Sequence, residues 1–100
     1  MAYEVVWAES AVIGLVEAVE YIARDSPSYA AALAIRAERA AASLSNFPNR
    51  GRHVPEFDDP AVRELDVGSY RLIYRVRPSQ VMVLAFVHSA RDLRTVTDPQ

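Results

Sequence analysis

The sequence has no cysteine and no lysine, and only three of its 100 residues are glycine. The lack of cysteine excludes a disulfide framework and a cysteine-ligated zinc site. No apolar run approaches the ~20 residues that span a bilayer. The first ten residues also lack the basic start and long apolar segment of a signal peptide. We therefore expect a cytoplasmic protein that does not act at a membrane.

Charge is spread unevenly along the chain, although the net charge is only −2. All eleven basic residues are arginine. Residues 1–49 hold three of them beside six acidic residues, whereas residues 50–100 hold eight beside seven. A balance so close to neutrality argues against direct sequence-specific binding to nucleic acid. The C-terminal half carries a local positive patch at most.

The common catalytic motifs are missing as well. There is no glycine-rich phosphate loop, no GxSxG turn and no HExxH pair. We interpret Asp58 and Asp59, which precede a proline, as a solvated turn rather than a metal site. The sequence therefore predicts neither a metal nor a cofactor.

Residue periodicity predicts a single α+β domain over residues 1–100. Of these residues 51% are apolar, which is enough for one core. Helical spacing predicts a first helix capped by Ser10 with Val12 and Val16 buried, and a second helix from Pro27 to about Leu44. Strands are predicted at residues 3–7, 62–67, 70–77 and 81–87. The order β-α-α-β-β-β predicts two layers, in which the helical hairpin covers one face of a mostly antiparallel sheet.

The most informative stretch is the hairpin of residues 70–87. Its second arm is seven apolar residues without a break, which is typical of a strand buried on both faces. Because two helices cover only one face of the sheet, the other face should expose an apolar strip. We expect that strip to contain Leu65, Ile73, Met82, Leu84 and Phe86. The alternative is that the 50–60 loop and the C-terminal tail fold over it.

Arginines follow the first arm of this hairpin. Arg71 and Arg75 share a face with Ile73, because side chains alternate along a strand. Further arginines are expected beside them at Arg52, Arg63 and Arg91. This group could hold phosphates or carboxylates of a partner through bidentate contacts. Alternatively, it could pair with the chain's own Glu56, Glu64 and Asp66 on a solvated face.

His88 ends the last predicted strand. Its pKa range suits acid–base chemistry near neutral pH. A histidine that ends a strand and bonds to the following loop is the commoner arrangement, and we favour it.

The order of elements and several short motifs resemble the RelE/ParE toxins of type II toxin–antitoxin systems. The motifs are GRxVPE at 51–56, REL at 63–65, YRLIYRV at 70–76 and HxARDL at 88–93. The resemblance implies a bacterial toxin that is neutralised when a flexible antitoxin segment wraps around it. We expect that segment to bind the apolar strip together with Arg71 and Arg75.

The resemblance also separates two possible targets. RelE-like members cut mRNA on the ribosome with basic residues and a C-terminal tyrosine, whereas ParE-like members inhibit DNA gyrase. This chain keeps Arg71 and Arg91, but it has only Arg63 where RelE carries two lysines, and Thr97 falls near the place of the tyrosine. The resemblance therefore favours a ParE-like toxin with a ParD-like antitoxin and no catalytic site.

In that case Arg52, Arg63 and Arg91 are expected to contact the target. The alternatives are a RelE-like nuclease that uses Arg71, Arg91 and His88, and a degenerate member without toxicity.

Overall fold

A computed structural model describes residues 2–91 of the chain. It contains five strands and two helices: β1 Glu4–Trp7, α1 Glu9–Ala23, α2 Pro27–Ser43, β2 Arg52–His53, β3 Val62–Val67, β4 Tyr70–Val76 and β5 Gln80–His88. The predicted α+β order is confirmed. The structure adds β2, a two-residue strand inside the segment that the sequence predicts as a loop.

The strands form one sheet in the order β1-β5-β4-β3-β2. β1 runs parallel to β5, and the other neighbours are antiparallel. Gly68 makes the turn between β3 and β4 with φ +59, a conformation that glycine adopts without strain. Both helices lie on one face, with α1 over β5 and α2 over β3. We call the opposite side the outer face.

The two helices begin in different ways. Ser26 caps α2 as predicted, because its hydroxyl accepts a hydrogen bond from the N–H of Tyr29 at 3.2 Å and proline follows it. The predicted cap of α1 is wrong. The N–H of Ala8 donates to the carbonyl of Val83 on β5 at 2.8 Å, as a residue of β1 would. The chain therefore enters the helix directly from β1, and Ala8 is the N-cap. The Ser10 hydroxyl instead donates to the carbonyl of Leu84 at 2.7 Å.

Helix α1 packs on the sheet through its small residues. Ala11 and Ala18 are buried, and a Cβ added to Gly14 would collide with the carbonyl oxygen of Phe86. Val12 and Val16, predicted to be buried, are instead 45% and 48% exposed. The small residues allow the helix to lie close to β5, and that approach turns the two valines outward.

A β-bulge decides which side chains of β5 enter the core. Ile73 pairs with Ala85 but Tyr74 pairs with Val83, so Leu84 is the extra residue. Beyond it the alternation reverses, and Phe86 joins Val83 on the helical side of the sheet.

Two residues predicted in the apolar strip lie on the helical side instead, Phe86 because of the bulge and Leu65 because of the β3–β4 register. Phe86 is 2% exposed and Leu65 is 9% exposed, and both belong to the main core. Ile73 does face outward, but it is buried with Val54 and Val62 in a second, small cluster. Met82 and Leu84 are half-buried. For Ile73 the alternative is therefore correct, because the loop folds over it.

Candidate functional site

The outer face of the sheet carries a network of ion pairs centred on Arg71. Its Nε donates to Glu64 at 2.7 Å, and its two terminal nitrogens donate to the carboxylate of Glu56 at 3.0 and 2.8 Å. The same side chain also bonds to the carbonyl of Arg91 at 2.9 Å. The Arg71 side chain is only 7% exposed. These bonds hold the side chain in place. They also raise the pKa of Arg71 above the ordinary range, and the hydrogen bond to Glu56 is the largest cause.

Arg52 extends this network towards the edge of the sheet. It donates from Nε to Glu64 and from both terminal nitrogens to Asp66, each at 2.9 Å. The hydrogen bond from Arg52 lowers the pKa of Asp66. Glu64 therefore links the two arginines. We call Arg52, Glu56, Glu64, Asp66 and Arg71 the ion network. It matches the interpretation in which the arginines pair with the chain's own carboxylates.

Arg75 and Arg63 differ in the face they occupy. Arg75 lies on the outer face and pairs with Asp59 at 2.9 Å. Arg63 was expected beside it, and this expectation is wrong. In the β3–β4 register Arg63 lies opposite Tyr74, on the helical side, and its side chain donates to the carbonyl of Gly51 at 2.7 Å.

Residues 54–59 cross the outer face as a strap. Before it, ahead of β2, the N–H of Gly51 donates to the Tyr74 hydroxyl at 2.9 Å, and a Cβ there would lie 2.5 Å from that oxygen. At its end, Asp59 accepts from the N–H of Ala61 at 2.9 Å. Two side chains of the strap, Val54 and Phe57, pack on Ile73 of the sheet beneath. The strap thus covers the centre of the outer face.

An open groove runs beside the strap, between it, α1 and the second half of β5. Its apolar surface comes from Ile13, which is 49% exposed, and from the half-buried Leu84 and Val87. Arg75 and Arg77 also line it, as do Tyr21, Tyr70, His88 and Arg91. A groove with an apolar floor and arginines at its border suits an amphipathic peptide segment.

His88 is used structurally, in the arrangement that we favoured. Its Nδ1 accepts a hydrogen bond from the N–H of Ala90 at 3.2 Å. Its ring meets Tyr70 edge-on at 5.5 Å, and Tyr70 stacks on Phe86 at 5.2 Å. The side chain of Arg91 is exposed at the groove. Thr97 lies outside the described residues.

Sequence reasoning missed several residues of this surface. Ile13 and Tyr21 line the groove because the small face of α1 is the buried one, and Asp59 pairs with Arg75 rather than lying free in solvent. The alternating pattern of β4 gave the face of Arg71 and Arg75 correctly. Among residues 2–91 no cluster of histidine and carboxylate side chains is arranged to hold a metal. In the same range, neither helix has the length and apolar character to cross a membrane.

Comparison with known proteins gives a consistent family. Residues 5–93 match the family described as ParE toxin of type II toxin–antitoxin system, parDE. Toxin RelE2 of Caulobacter vibrioides is 35% identical over 89 residues, which are 88% of this chain and 97% of the relative.

Two solved structures share the fold. One belongs to a chromosomal ParDE toxin–antitoxin system from P. aeruginosa, with a TM-score of 0.70, 19% identity, and coverage of 87% of this chain and 96% of that one. The other is the RelBE2 toxin–antitoxin complex from Mycobacterium tuberculosis, with a TM-score of 0.58, 25% identity, and coverage of 88% and 99%. Since the family match spans nearly the whole chain, this protein belongs to the ParE toxin family of type II toxin–antitoxin systems, within the RelE/ParE superfamily.

Proposed function

We propose that this toxin inhibits DNA gyrase in the manner of ParE and is silenced by a ParD-like antitoxin. The observation that carries the proposal is the state of Arg71, the arginine that matches the nuclease members. It is buried, and Glu56, Glu64 and a backbone carbonyl accept hydrogen bonds from four of its five N–H donors.

Cutting RNA demands more than this arrangement offers. An enzyme that cleaves at a ribose 2′-hydroxyl needs a base, an acid and cations aimed at the charge that develops on phosphorus. Turning Arg71 towards a phosphate would leave Glu64, which is 3% exposed, with one arginine fewer in a buried site. A role that needs binding alone leaves the ion network intact.

The direct test measures supercoiling. Purified toxin is incubated with DNA gyrase and relaxed plasmid, and the topoisomers are separated on a gel. We expect supercoiling to stop at excess toxin and to return when the antitoxin encoded beside the toxin gene is added first. Undiminished supercoiling at excess toxin would contradict the proposal.

A RelE-like activity is the second candidate, because the curated relative carries the name Toxin RelE2. Arg91 and His88 both line the groove and would belong to its reacting set together with Arg71. Primer extension on mRNA from cells that express the toxin separates the two functions. Cuts in phase with codons favour the nuclease, whereas intact mRNA with induced DNA-damage response favours gyrase. Both targets are cytoplasmic, so either function would require the toxin to act in the cytoplasm. The remaining alternative is a member that has lost toxicity, and a growth assay of cells that express the protein tests it.

For the antitoxin we propose the groove beside the strap as the main binding surface. Ile13, Leu84 and Val87 offer apolar area that is at least partly open to solvent. Arg75 and Arg77 at its border would meet acidic residues of the antitoxin, which fixes orientation more than affinity. This surface replaces the strip predicted from the sequence, because Phe86, Leu65 and Ile73 are buried.

A further inference from the structure

The strap of residues 54–59 is attached to the sheet differently from the strands around it. The strands beneath it are joined by ladders of backbone hydrogen bonds, with one irregularity at the bulge. In the strap, the N–H of Phe57 bonds to the carbonyl of Val54 at 3.1 Å, which makes a turn within the strap itself. Among residues 2–91, no backbone hydrogen bond joins residues 54–58 to the sheet. Only at its last residue does the backbone take part, where the carbonyl of Asp59 accepts the N–H of Val62 at 3.0 Å. Side chains therefore hold residues 54–58 on the sheet.

Within residues 2–91 those side-chain contacts include two ion pairs and a small apolar cluster. The Arg71–Glu56 pair has both partners at or below 10% exposure, and the Arg75–Asp59 pair is about one-third exposed at 37% and 38%. Beneath them lies the cluster of Val54, Val62 and Ile73, which is separate from the main core. An element held by a few side-chain contacts over its own small cluster can open without unfolding the rest.

We propose that the strap is a lid latched by these two ion pairs, which opens as a unit while the main core stays folded. Its ends are fixed, because strand β2, which precedes it, pairs with β3, and the carbonyl of Asp59 accepts the N–H of Val62 at 3.0 Å. Opening uncovers Ile73 and Val62, which already border the groove. The groove can therefore be extended across the outer face. The inference concerns the toxin alone and holds whichever target the toxin has.

Cysteine labelling tests the lid directly, since the chain has no cysteine of its own. Ile73→Cys places a thiol beneath the strap. Leu72→Cys places one at the adjacent position of β4, on the opposite face and beneath the helices. Both positions are at most 1% exposed, so iodoacetamide reaches either thiol only after an opening. The labelling rate is then the intrinsic rate multiplied by the population of the open form.

We expect the Ile73→Cys variant to be alkylated at least about tenfold faster than the Leu72→Cys variant, which corresponds to ~1.4 kcal/mol. Adding Glu56→Gln should accelerate labelling at position 73 several-fold and leave position 72 unchanged. Asp66→Asn is the matched control, because it breaks an arginine–carboxylate pair of the same ion network in which neither partner lies in the strap. Its effect on the labelling rate at position 73 should be much smaller than that of Glu56→Gln, and position 72 should stay unchanged.

If Glu56→Gln does not fold, Asp59→Asn breaks the more exposed latch and is measured in its place. Equal labelling at both positions would show that the strap opens only when the whole domain unfolds. Equal acceleration of labelling at positions 72 and 73 by Glu56→Gln or Asp59→Asn would also show that the strap opens only with the whole domain. Either result overturns the proposal.

Discussion

Arg71 and Tyr74 of β4 each tie the sheet to the segment that precedes β3. Arg71 does so on the outer face, through Glu56. Tyr74 does so from the helical side, where its hydroxyl accepts the N–H of Gly51 at 2.9 Å. Their partners are buried, so loss of either side chain removes an ion pair or hydrogen bond from groups that have little access to water.

Replacing Arg71 with alanine should be among the most damaging single changes. It leaves Glu56 and Glu64 without their shared cation in a site where both are at most 10% exposed. Breaking a buried pair in this way costs roughly 3–5 kcal/mol. Arg75→Ala removes a partly exposed pair and should cost about 1 kcal/mol or less. Urea denaturation of both variants gives the comparison, and an equal loss in the two would contradict the buried network.

The raised pKa of Tyr74 leads us to expect that the free energy of unfolding depends on pH in the alkaline range. Burial is the largest cause that raises the pKa of Tyr74 above 10.0, and the bond from Gly51 partly offsets it. A folded pKa above the unfolded value contributes stability that is fully present below the unfolded pKa. That contribution is lost as pH rises through the folded pKa. The free energy of unfolding should therefore fall above about pH 10.

Tyr74→Phe separates the two effects. At neutral pH it should lose about 1–3 kcal/mol, because the buried N–H of Gly51 no longer has its acceptor. Above about pH 10 its stability should decline less steeply than that of the unchanged protein. Tyr70, whose pKa is also raised by burial, is present in both proteins and cancels in the difference. Parallel declines in the two proteins would argue against a titrating Tyr74.

At the scale of elements, the sequence predicted what depends on periodicity and turn chemistry. The capped start of α2 at Ser26, strand β3 and strand β4 were all placed correctly. The bulge at Leu84 could not be predicted, because an unbroken apolar run looks the same in either alternation. The buried face of α1 was also predicted wrongly. Hydrophobicity favoured the valines, but close packing selected Ala11, Gly14 and Ala18.

Gly14→Ala tests that packing. Helix propensity alone predicts a gain of up to ~1 kcal/mol. The added Cβ would instead press on the carbonyl of Phe86, a backbone atom that moves only with β5. Overpacking of this kind costs ~1–3 kcal/mol, so we expect a net loss in the free energy of unfolding. Ala31→Gly, at an exposed position of α2, calibrates the propensity term. A stabilised Gly14→Ala variant would contradict the close approach of α1 to β5.

The whole molecule presents two surfaces with different chemistry. The outer face combines the strap, the ion network and the groove, so charged and apolar groups meet there. The helical face exposes aliphatic side chains at Val12, Val16 and Ile35, each between 45% and 48% exposed. Both surfaces are candidates for the antitoxin. They differ in that the groove is concave and bordered by arginines, which favours it for a specific partner.

Two charge substitutions decide between these surfaces. Leu84→Asp places a carboxylate in the half-buried floor of the groove, and Val16→Asp places one on the exposed face of α1. If the antitoxin fills the groove, Leu84→Asp should weaken its binding by at least about a hundredfold, or ~2.7 kcal/mol. Val16→Asp should change binding by less than about threefold. Isothermal titration with the purified antitoxin measures both.

Thermal unfolding of each free variant separates lost binding from lost folding, because a variant that melts near the unchanged protein still presents its surface. Arg77→Ala adds an electrostatic control, since its exposed charge borders the groove. It should slow association and reduce the dependence of binding on salt while the complex still forms. The opposite pattern, in which Val16→Asp abolishes binding and a folded Leu84→Asp binds normally, would place the antitoxin along the helical hairpin instead.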